Sequence, residues 1–372
     1  MHFQIKRDTL LKSLNFAHNI IERKNTLPVL SNVLIEAKSN KLSIVATDLD
    51  LVFYDEINDL KITKEGSTTT SATVLHDLLR KLPSNLDIIF NLKDENKLNI
   101  SAENSKFNLL CLPIDNFPNF SDNFDSKNEV SLNRKRFLSL LNKTKISMSN
   151  DETRHYLNGI FIHTTEANGK HYLTGVATDS HRLSSSSMSL ENIGNFKSFI
   201  LPKKTVFQLS NLLQEGNEKI SLVSSDTKIQ FKIGSTKITS KIIDGKFPDY
   251  KKVVPKNNSK ILSINVKDLI SSIERVITVS IDRKEGVKIT LDKDSVQLFV
   301  NSSSSGEGKE TVKADYNSEQ FTLSFNSRYL LDIASEIEDE RITVKLNDAV
   351  SPVLIQDNSD KYSYYVIMPM KI

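Results

Sequence analysis

The chain has 372 residues, of which 38% are hydrophobic and 26% are charged, and its net charge at pH 7 is only +3. This composition supports packed cores and excludes a histone-like polycation, and the length favours two or three domains over one. The single cysteine, Cys111, excludes an intramolecular disulfide and a multi-cysteine zinc site, and no segment has the apolar length of a signal peptide or a bilayer span, so we expect a cytoplasmic protein.

A strand followed by an amphipathic helix is predicted three times along the chain. The pattern begins near Phe3, Val130 and Leu262, at intervals of 127 and 132 residues. In the second copy, Phe137 and Leu141 have the spacing of one apolar helix face, and lysines and arginines occupy the other faces. Repeats at this spacing predict three domains, at 1–126, 127–258 and 259–372.

A weaker copy of the same pattern lies inside each domain, at 73–82, 199–213 and 321–337. Between the predicted helices the apolar residues alternate with period two, as in 229–233 and 238–242, and Gly234-Ser235 has the composition of a two-residue hairpin turn. The sequence therefore predicts an α+β protein of three pseudo-repeated domains, in which antiparallel sheets outweigh six helices.

Positive charge is concentrated on the predicted helices. The six helical segments together carry a net charge of +9, so the rest of the chain carries −6. If the repeat places these helices on one surface, that surface is basic and suits a polyanion such as nucleic acid. For any one helix, a charged face that is merely solvated is the more common explanation, and the last domain adds nothing to the excess.

Five motifs carry a resemblance to a known family. They are NTLPVL at 25–30, YLNG at 156–159, ATDSHRL at 177–183, DGKFPDY at 244–250 and VIMPMKI at 366–372. In this order and spacing the whole chain resembles the bacterial DNA polymerase III beta subunits, the sliding clamps. The resemblance implies a ring-forming head-to-tail homodimer, with sheets outside and two helices per domain inside, around duplex DNA. It implies a processivity factor without catalytic activity, cofactor or metal.

The resemblance also implies partners and site residues. The partners would be double-stranded DNA without sequence preference, the replicative polymerase alpha subunit, the clamp-loader delta subunit, and other polymerases and repair proteins bound through short linear motifs. The residues implied to face DNA are Lys24, Arg154, His155, Tyr156, Lys203 and Lys204. The residues implied to form a peptide cleft are Leu157, Thr178, His181, Arg182, Leu183, Pro248, Val253, Val366, Met368, Pro369 and Met370. The residues implied at the dimer interface are Phe107, Thr278 and Val279.

Three positions depart from the family pattern. Ser180 stands where glycine is common, and Lys252 stands where arginine is common, so we expect a peptide preference that differs in detail. Thr278 is more polar than expected for an interface, which puts the strength of the interface in doubt but leaves its location unchanged.

Other classes of function fit parts of the sequence. A non-encircling, sheet-rich scaffold for proteins is one alternative, and a hydrolase that uses Asp179 and His181 with a nearby serine is another, although no nucleophile-elbow glycines surround them. Paired aspartates at 48 and 50, or at 122 and 125, could bind a cation but are more often surface loops. The segment 305–310 lacks the glycine and the hydroxyl residue that a phosphate-binding loop requires.

Overall fold

A computed structural model of the chain describes residues 1–22, 27–94, 96–120, 124–125, 129–190, 196–216, 218–280 and 286–370. The α-helices are α1 Arg7–Ile20, α2 Ala72–Lys81, α3 Arg134–Lys145, α4 Lys203–Leu212, α5 Val266–Val276 and α6 Ser327–Ala334. Within these described segments, no helix combines the length and the apolar character needed to cross a bilayer.

The strands alternate with these helices along the chain. In the first part they are β1 His2–Lys6, β2 Asn32–Lys38, β3 Lys41–Thr47, β4 Leu51–Ile57, β5 Leu60–Lys64, β6 Gly66–Ser71, β7 Asp87–Asp94, β8 Lys97–Ala102 and β9 Ser105–Leu112. In the middle they are β10 Val130–Leu132, β11 Gly159–Ala167, β12 Lys170–Thr178, β13 Arg182–Ser189, β14 Phe199–Pro202, β15 Ile220–Ser224, β16 Lys228–Ile233 and β17 Thr236–Lys241. In the last part they are β18 Lys260–Asn265, β19 Gly286–Asp292, β20 Ser295–Ser302, β21 Gly306–Tyr316, β22 Phe321–Asn326, β23 Arg341–Leu346, β24 Val353–Asp357 and β25 Ser363–Ile367.

The chain forms two compact units, and each unit holds one sheet. The first unit consists mainly of Met1–Lys135 and Phe207–Ile242, and the second mainly of Arg136–Ile193, Lys197–Val206 and Ile243–Ile372. The first sheet has the strand order β10-β15-β16-β17-β4-β3-β2-β6-β9-β8-β7-β1-β5, and the second has the order β14-β11-β12-β13-β25-β24-β23-β18-β21-β20-β19-β22. Every strand pair in the described chain is antiparallel, which confirms the predicted class.

The predicted repeat is visible in the order of the elements. Each copy begins with a strand and a helix, as β1–α1, β10–α3 and β18–α5, and contains a second strand–helix pair, as β6–α2, β14–α4 and β22–α6. The predicted hairpin is also present: Ile233 pairs with Thr236 across the two-residue turn, and Gly234 has a φ of +60°, which glycine adopts without strain.

Two strand pairings inside the chain join one repeat to the next. In the first unit β17 pairs with β4, so that Ile238 lies opposite Phe53. In the second unit β25 pairs with β13, so that Tyr365 lies opposite Ser184. All four side chains are at most 2% exposed. Each sheet therefore continues without a break from one repeat into the next.

Two cations of α3 are buried, which corrects the prediction that the charged residues of this helix occupy its solvated faces. The Arg134 side chain is 6% exposed and binds Glu218 at 2.8 Å and the carbonyl of Leu212 at 2.7 Å, so it caps the C-terminal end of α4. The Lys143 side chain is 4% exposed and lies 2.7 Å from Asp360 and 3.1 Å from Glu338. Neither charge is available to a polyanion.

Replacement of Lys143 by alanine is expected to lower the free energy of unfolding by about 3 kcal/mol, because it leaves the half-buried Asp360 carboxylate without its cation. Burial alone would raise the pKa of Asp360, but hydrogen bonds from Lys143 and Ser363 lower it below its ordinary value. A carboxylate with a lowered pKa in the folded state stabilises the protein above about pH 4, and the stabilisation is lost as the pH falls further.

Urea unfolding followed by circular dichroism measures this effect. The difference between the wild type and Lys143→Ala should shrink below about pH 4. Lys135→Ala, which removes an exposed cation from the same helix, is the matched control and should change stability by less than about 0.5 kcal/mol. Equal stabilities of the two variants at pH 7 would contradict the assignment.

Candidate functional site

A cavity of about 220 Å³ lies in the second unit and gathers most of the predicted cleft residues. Its lining is Leu157, Thr178, Ser180, His181, Arg182, Leu183, Pro248, Asp249, Tyr250, Val253, Val366 and Met368. Pro369 and Met370 were expected in the cleft but do not line this cavity, since the Met370 N–H donates to the carbonyl of Ser324 at 2.7 Å. The residues implied for the cleft did not include Asp249 and Tyr250, although both belong to the motif at 244–250, and Ser180 was noted only as a departure from the family pattern.

The cavity has an apolar floor and an accessible apolar rim. Leu157, Leu183 and Val366 are 2%, 2% and 3% exposed and belong to one hydrophobic cluster. Val253 is 50% exposed and Met368 is 37% exposed. A concave apolar surface that is largely formed before binding suits a short apolar peptide segment.

The turn between β12 and β13 forms one wall and is fixed by its own side chains. Asp179 Oδ1 accepts hydrogen bonds from the N–H groups of His181 and Arg182, both at 2.9 Å. The Thr178 hydroxyl donates to the carbonyl of Arg182 at 2.7 Å, and Ser180 has a φ of +77°. The Met368 N–H donates to the carbonyl of His181 at 2.8 Å, which ties the turn to the end of β25.

The Arg182 guanidinium is held inside the protein although the residue lines the cavity. Its side chain is 9% exposed, and it lies 3.0 Å from Asp179 and 2.8 Å from Asp332. The Tyr329 ring lies 4.1 Å from the guanidinium carbon, at the distance of a cation–π contact. Arg182 therefore shapes the wall and is not free to serve as a charged hydrogen-bond donor to a ligand.

Aromatic side chains support the opposite wall. Tyr250 is 8% exposed, and its hydroxyl lies 3.1 Å from His163 Nε2. Burial raises the pKa of Tyr250 and lowers the pKa of His163, so both are neutral at pH 7. Phe161 stacks on Phe247 with ring centroids 5.0 Å apart. This wall is uncharged and packed, as an apolar ligand requires.

Most of the residues implied to face DNA lie together, in one segment and the helix beside it. Arg154, His155 and Tyr156 belong to the 3-10 helix Glu152–Leu157, and the N–H of Lys203 donates to the carbonyl of Asn158 at 3.1 Å. Lys204 follows in the first turn of α4, and its side chain is half-buried. Lys24 lies outside the described residues.

The side chains of this segment are only partly free. Arg154 Nε lies 2.8 Å from Asp151 Oδ2, and His155 Nε2 lies 3.1 Å from the carbonyl of Asp244. Hydrogen bonds from Thr153 and Arg154 lower the pKa of Asp151 to about 2. The Arg154 side chain is still 38% exposed, so it can reach an approaching anion.

The residues implied at the dimer interface lie at two different places in the chain. Phe107 lies on β9 and is half-buried, on the same face as its strand partner, the fully buried Ile100. Thr278 and Val279 lie in the 3-10 helix Ile277–Val279, where Thr278 is exposed and its hydroxyl donates to the carbonyl of Glu274 at 2.9 Å. Leu109, two residues further along β9, is half-buried like Phe107.

The structure supports none of the alternative chemical sites. Asp179 holds backbone N–H groups and Arg182, and the His181 ring faces Tyr329 with centroids 6.5 Å apart, so they do not form a catalytic pair. The segment 306–310 is part of β21 and is not a phosphate-binding loop. In the described part of the chain no cluster of three metal-ligating side chains occurs; Asp122 lies outside it.

Comparison with known proteins gives matches over the whole chain. Three family models match: "DNA polymerase III beta subunit, N-terminal domain" at 1–121, "central domain" at 131–249 and "C-terminal domain" at 251–371. The chain is 36% identical over 375 residues to the beta sliding clamp of Caulobacter vibrioides and 32% identical over 375 residues to that of Pseudomonas putida, with 100% of each chain covered in both cases.

Solved structures agree with these matches. The beta sliding clamp of C. crescentus aligns with a TM-score of 0.95 at 35% identity, covering 100% of this chain and 99% of that one. The clamp of Bartonella birtlesii, solved with bound griselimycin, aligns with a TM-score of 0.95 at 38% identity and full coverage of both chains.

Proposed function

Because the chain belongs to the family of bacterial DNA polymerase III beta subunits, it is a non-catalytic DNA sliding clamp, and we propose how its own residues close the ring, face the duplex and hold partner proteins. This membership confirms the resemblance drawn from the sequence motifs and excludes the hydrolase alternative. We place the domain boundaries at 126/127 and 258/259, and the family models, which end and begin close to these positions, support that placement.

The open edges of β9 and β21 support closure between two copies. Along residues 105–110, β9 pairs with β8, and its pairing with β6 is limited to Cys111 and Leu112. Along residues 306–313, β21 pairs with β20, and its pairing with β18 begins only at Ala314. By position in the repeat, β9 corresponds to β17 and β25, and β21 corresponds to β4 and β13. We infer that β9 of one copy pairs with β21 of a second copy, which makes a head-to-tail dimer.

The two internal junctions also supply the register of this pairing. Phe107, Ile238 and Tyr365 each lie opposite a buried residue of the preceding strand. Phe53, Ser184 and Gly308 also lie opposite a buried residue of the preceding strand, and Gly308 is one pair further from its turn than the other two. Since Ile238 faces Phe53 and Tyr365 faces Ser184, Phe107 should face Gly308 of the second copy.

Gly308 lies against the residue that leads into the 3-10 helix Ile277–Val279. A Cβ atom on Gly308 would lie 2.9 Å from the carbonyl of Val276, the residue before the 3-10 helix that contains Thr278 and Val279. Phe107 of one copy would thus pack beside Val279 of the other. One such head-to-tail contact leaves β21 of the first copy and β9 of the second copy unpaired. A second, identical contact between these two strands closes the ring and leaves neither edge exposed. The main support for this closure is that the same strand pairing occurs twice inside the chain, as β17 with β4 and as β25 with β13.

Arg154, His155, Tyr156, Lys203 and Lys204 are proposed to face the duplex. Cations that contact phosphates attract DNA without reading its sequence, as sliding requires, and this attraction weakens with salt.

The cavity lined by Leu157, Leu183, Val253 and Met368 is proposed to hold short linear motifs of the polymerase alpha subunit, the clamp-loader delta subunit and other polymerases and repair proteins. Exposed methionine allows repacking around different motifs. Ring closure keeps these partners near the primer end.

Salt-dependent DNA binding tests the proposed DNA-facing surface. The triple variant Arg154→Ala/Lys203→Ala/Lys204→Ala should bind a duplex more weakly, because fewer cations then neutralise phosphates. The slope of log affinity against log salt should fall by about 1 for each phosphate that is no longer neutralised. Fluorescence anisotropy at several salt concentrations measures both quantities.

The matched control removes the same charge elsewhere. Lys170, Lys232 and Lys293 are exposed and lie outside the proposed surface, so their triple alanine variant should retain the wild-type slope. An equal decrease of the slope in both triple variants would show that only total charge matters and would contradict the assigned surface.

A further inference from the structure

One hydrogen bond joins the peptide cavity to the segment proposed to face DNA. Arg154 Nη1 donates to the Ser180 hydroxyl at 2.6 Å, while Arg154 Nε donates to Asp151 at 2.8 Å. Ser180 lines the cavity, and Arg154 keeps 38% of its side chain accessible. A single hydroxyl group is therefore shared between two proposed binding sites.

The backbone fixes this hydroxyl where it is. The Ser180 N–H donates to the Thr178 hydroxyl at 3.2 Å, and the φ of +77° points the Ser180 side chain away from a regular strand direction. The equivalent turn of the first repeat has the same geometry: Leu49 has a φ of +79°, and its N–H donates to the Thr47 hydroxyl at 2.9 Å. Because Leu49 has no hydroxyl group, the turn conformation by itself does not require a hydrogen bond to an arginine such as the one between Ser180 and Arg154.

We propose that the Arg154–Ser180 hydrogen bond couples occupancy of the cavity to DNA binding, with positive sign. The inference rests on the proposed function of both sites. A cavity ligand that hydrogen-bonds the Ser180 hydroxyl competes with Arg154 and releases its guanidinium toward a phosphate. A phosphate that draws Arg154 away leaves the hydroxyl to the ligand. Whichever ligand binds first breaks the Arg154–Ser180 hydrogen bond, so the other ligand binds without having to break it.

This coupling is reciprocal and limited in size. Each ligand must raise the affinity for the other by the same factor, because both act on one equilibrium. Because Arg154 is 38% exposed, its hydrogen bond to Ser180 has the net worth of an ordinary hydrogen bond, which corresponds to a factor of about threefold to tenfold. Ser180, where the family commonly has glycine, then acts as a positioning residue that links partner binding to DNA contact in this chain.

Calorimetric titration of the full-length protein with griselimycin, with and without a saturating short linear duplex at low salt, tests the coupling. The wild type should bind griselimycin about threefold to tenfold more tightly when the duplex is present, and the duplex affinity should rise by the same factor. Glycine adopts a φ of +77° without strain, so Ser180→Gly keeps the turn and removes the hydroxyl. The variant changes the affinity for each ligand alone, but the ratio of affinities with and without the other ligand should fall to about one.

Leu49→Gly is the matched control, since it makes the same backbone change in the equivalent turn and should retain the wild-type ratio. A wild-type ratio of one or less, or an unchanged ratio in Ser180→Gly, would overturn the coupling. Failure of the wild type to bind griselimycin or the duplex at all would overturn the proposed sites themselves, and the coupling with them.

Discussion

Phe107→Asp is expected to convert the dimer into a monomer. The proposed pairing places Phe107 opposite Gly308 of the second copy, and an aspartate there would be an unpaired charge in a dehydrated apolar contact. Such a charge costs about 3 kcal/mol or more, which weakens dimerisation by at least about 100-fold. Sedimentation velocity over a dilution series of the pure protein measures the change.

Phe207→Asp is the matched control, because Phe207 is 42% exposed on α4 and lies outside the proposed interface. It should leave the dimer intact. Circular dichroism should show that the Phe107→Asp protein is folded, since Phe107 is only half-buried at an open sheet edge. A folded Phe107→Asp protein that sediments as the wild-type dimer would rule out the β9–β21 closure.

Val253→Asp is expected to abolish high-affinity binding in the cavity without unfolding the protein. Val253 is 50% exposed, so the folded state tolerates a polar residue there, whereas a bound apolar ligand would bury the new carboxylate. We expect the affinity for griselimycin to fall by at least about tenfold, and polymerase alpha-subunit binding to fall with it. Titration calorimetry measures the first quantity and a pull-down with the purified subunit the second.

Val350→Asp provides the comparison for this variant. Val350 is 62% exposed and does not line the cavity, so the same substitution there should leave both affinities unchanged. Equal affinities of the Val253→Asp and wild-type proteins for griselimycin would mean that the ligand binds elsewhere.

Local patterns were sufficient to predict the elements of the fold. The alternation before and after Gly234-Ser235 identifies a hairpin because strand periodicity and turn chemistry are both local. The repeat spacing identified three copies for the same reason, since each copy carries the same sequence of short patterns. These local patterns do not predict which residues far apart in the sequence contact each other.

The incorrect predictions from the sequence involve such distant partners. Lys143 was counted among the positive charges of the predicted helices, but its partner Asp360 is 217 positions away in the sequence. Arg134 is likewise neutralised by Glu218, 84 positions away. A charge count along helices therefore overstates the positive surface whenever a residue far along the chain supplies the counterion.

The cleft shows the same division between local and distant information. Nine of the residues implied for the cleft line the cavity, and eight of these lie within four of the motifs, whereas Val253 lies outside them. Tyr250 is the last residue of the motif at 244–250 and could have been included, whereas Tyr329 packs on Arg182 from a separate helix and gave no local signal. Pro369 and Met370 were included because the motif continues, although the chain turns toward β22 after Met368.

Retention on circular DNA tests encirclement most directly. The protein can be threaded onto linear duplex at low salt, the DNA ends can then be ligated, and the mixture can be passed over a sizing column in about 0.5 M salt, where charge contacts alone no longer hold. The wild type should remain on the ligated circle and leave after a restriction enzyme cuts it, and the Phe107→Asp protein should dissociate from both forms. Equal dissociation of the wild type from circular and cut DNA would contradict the ring.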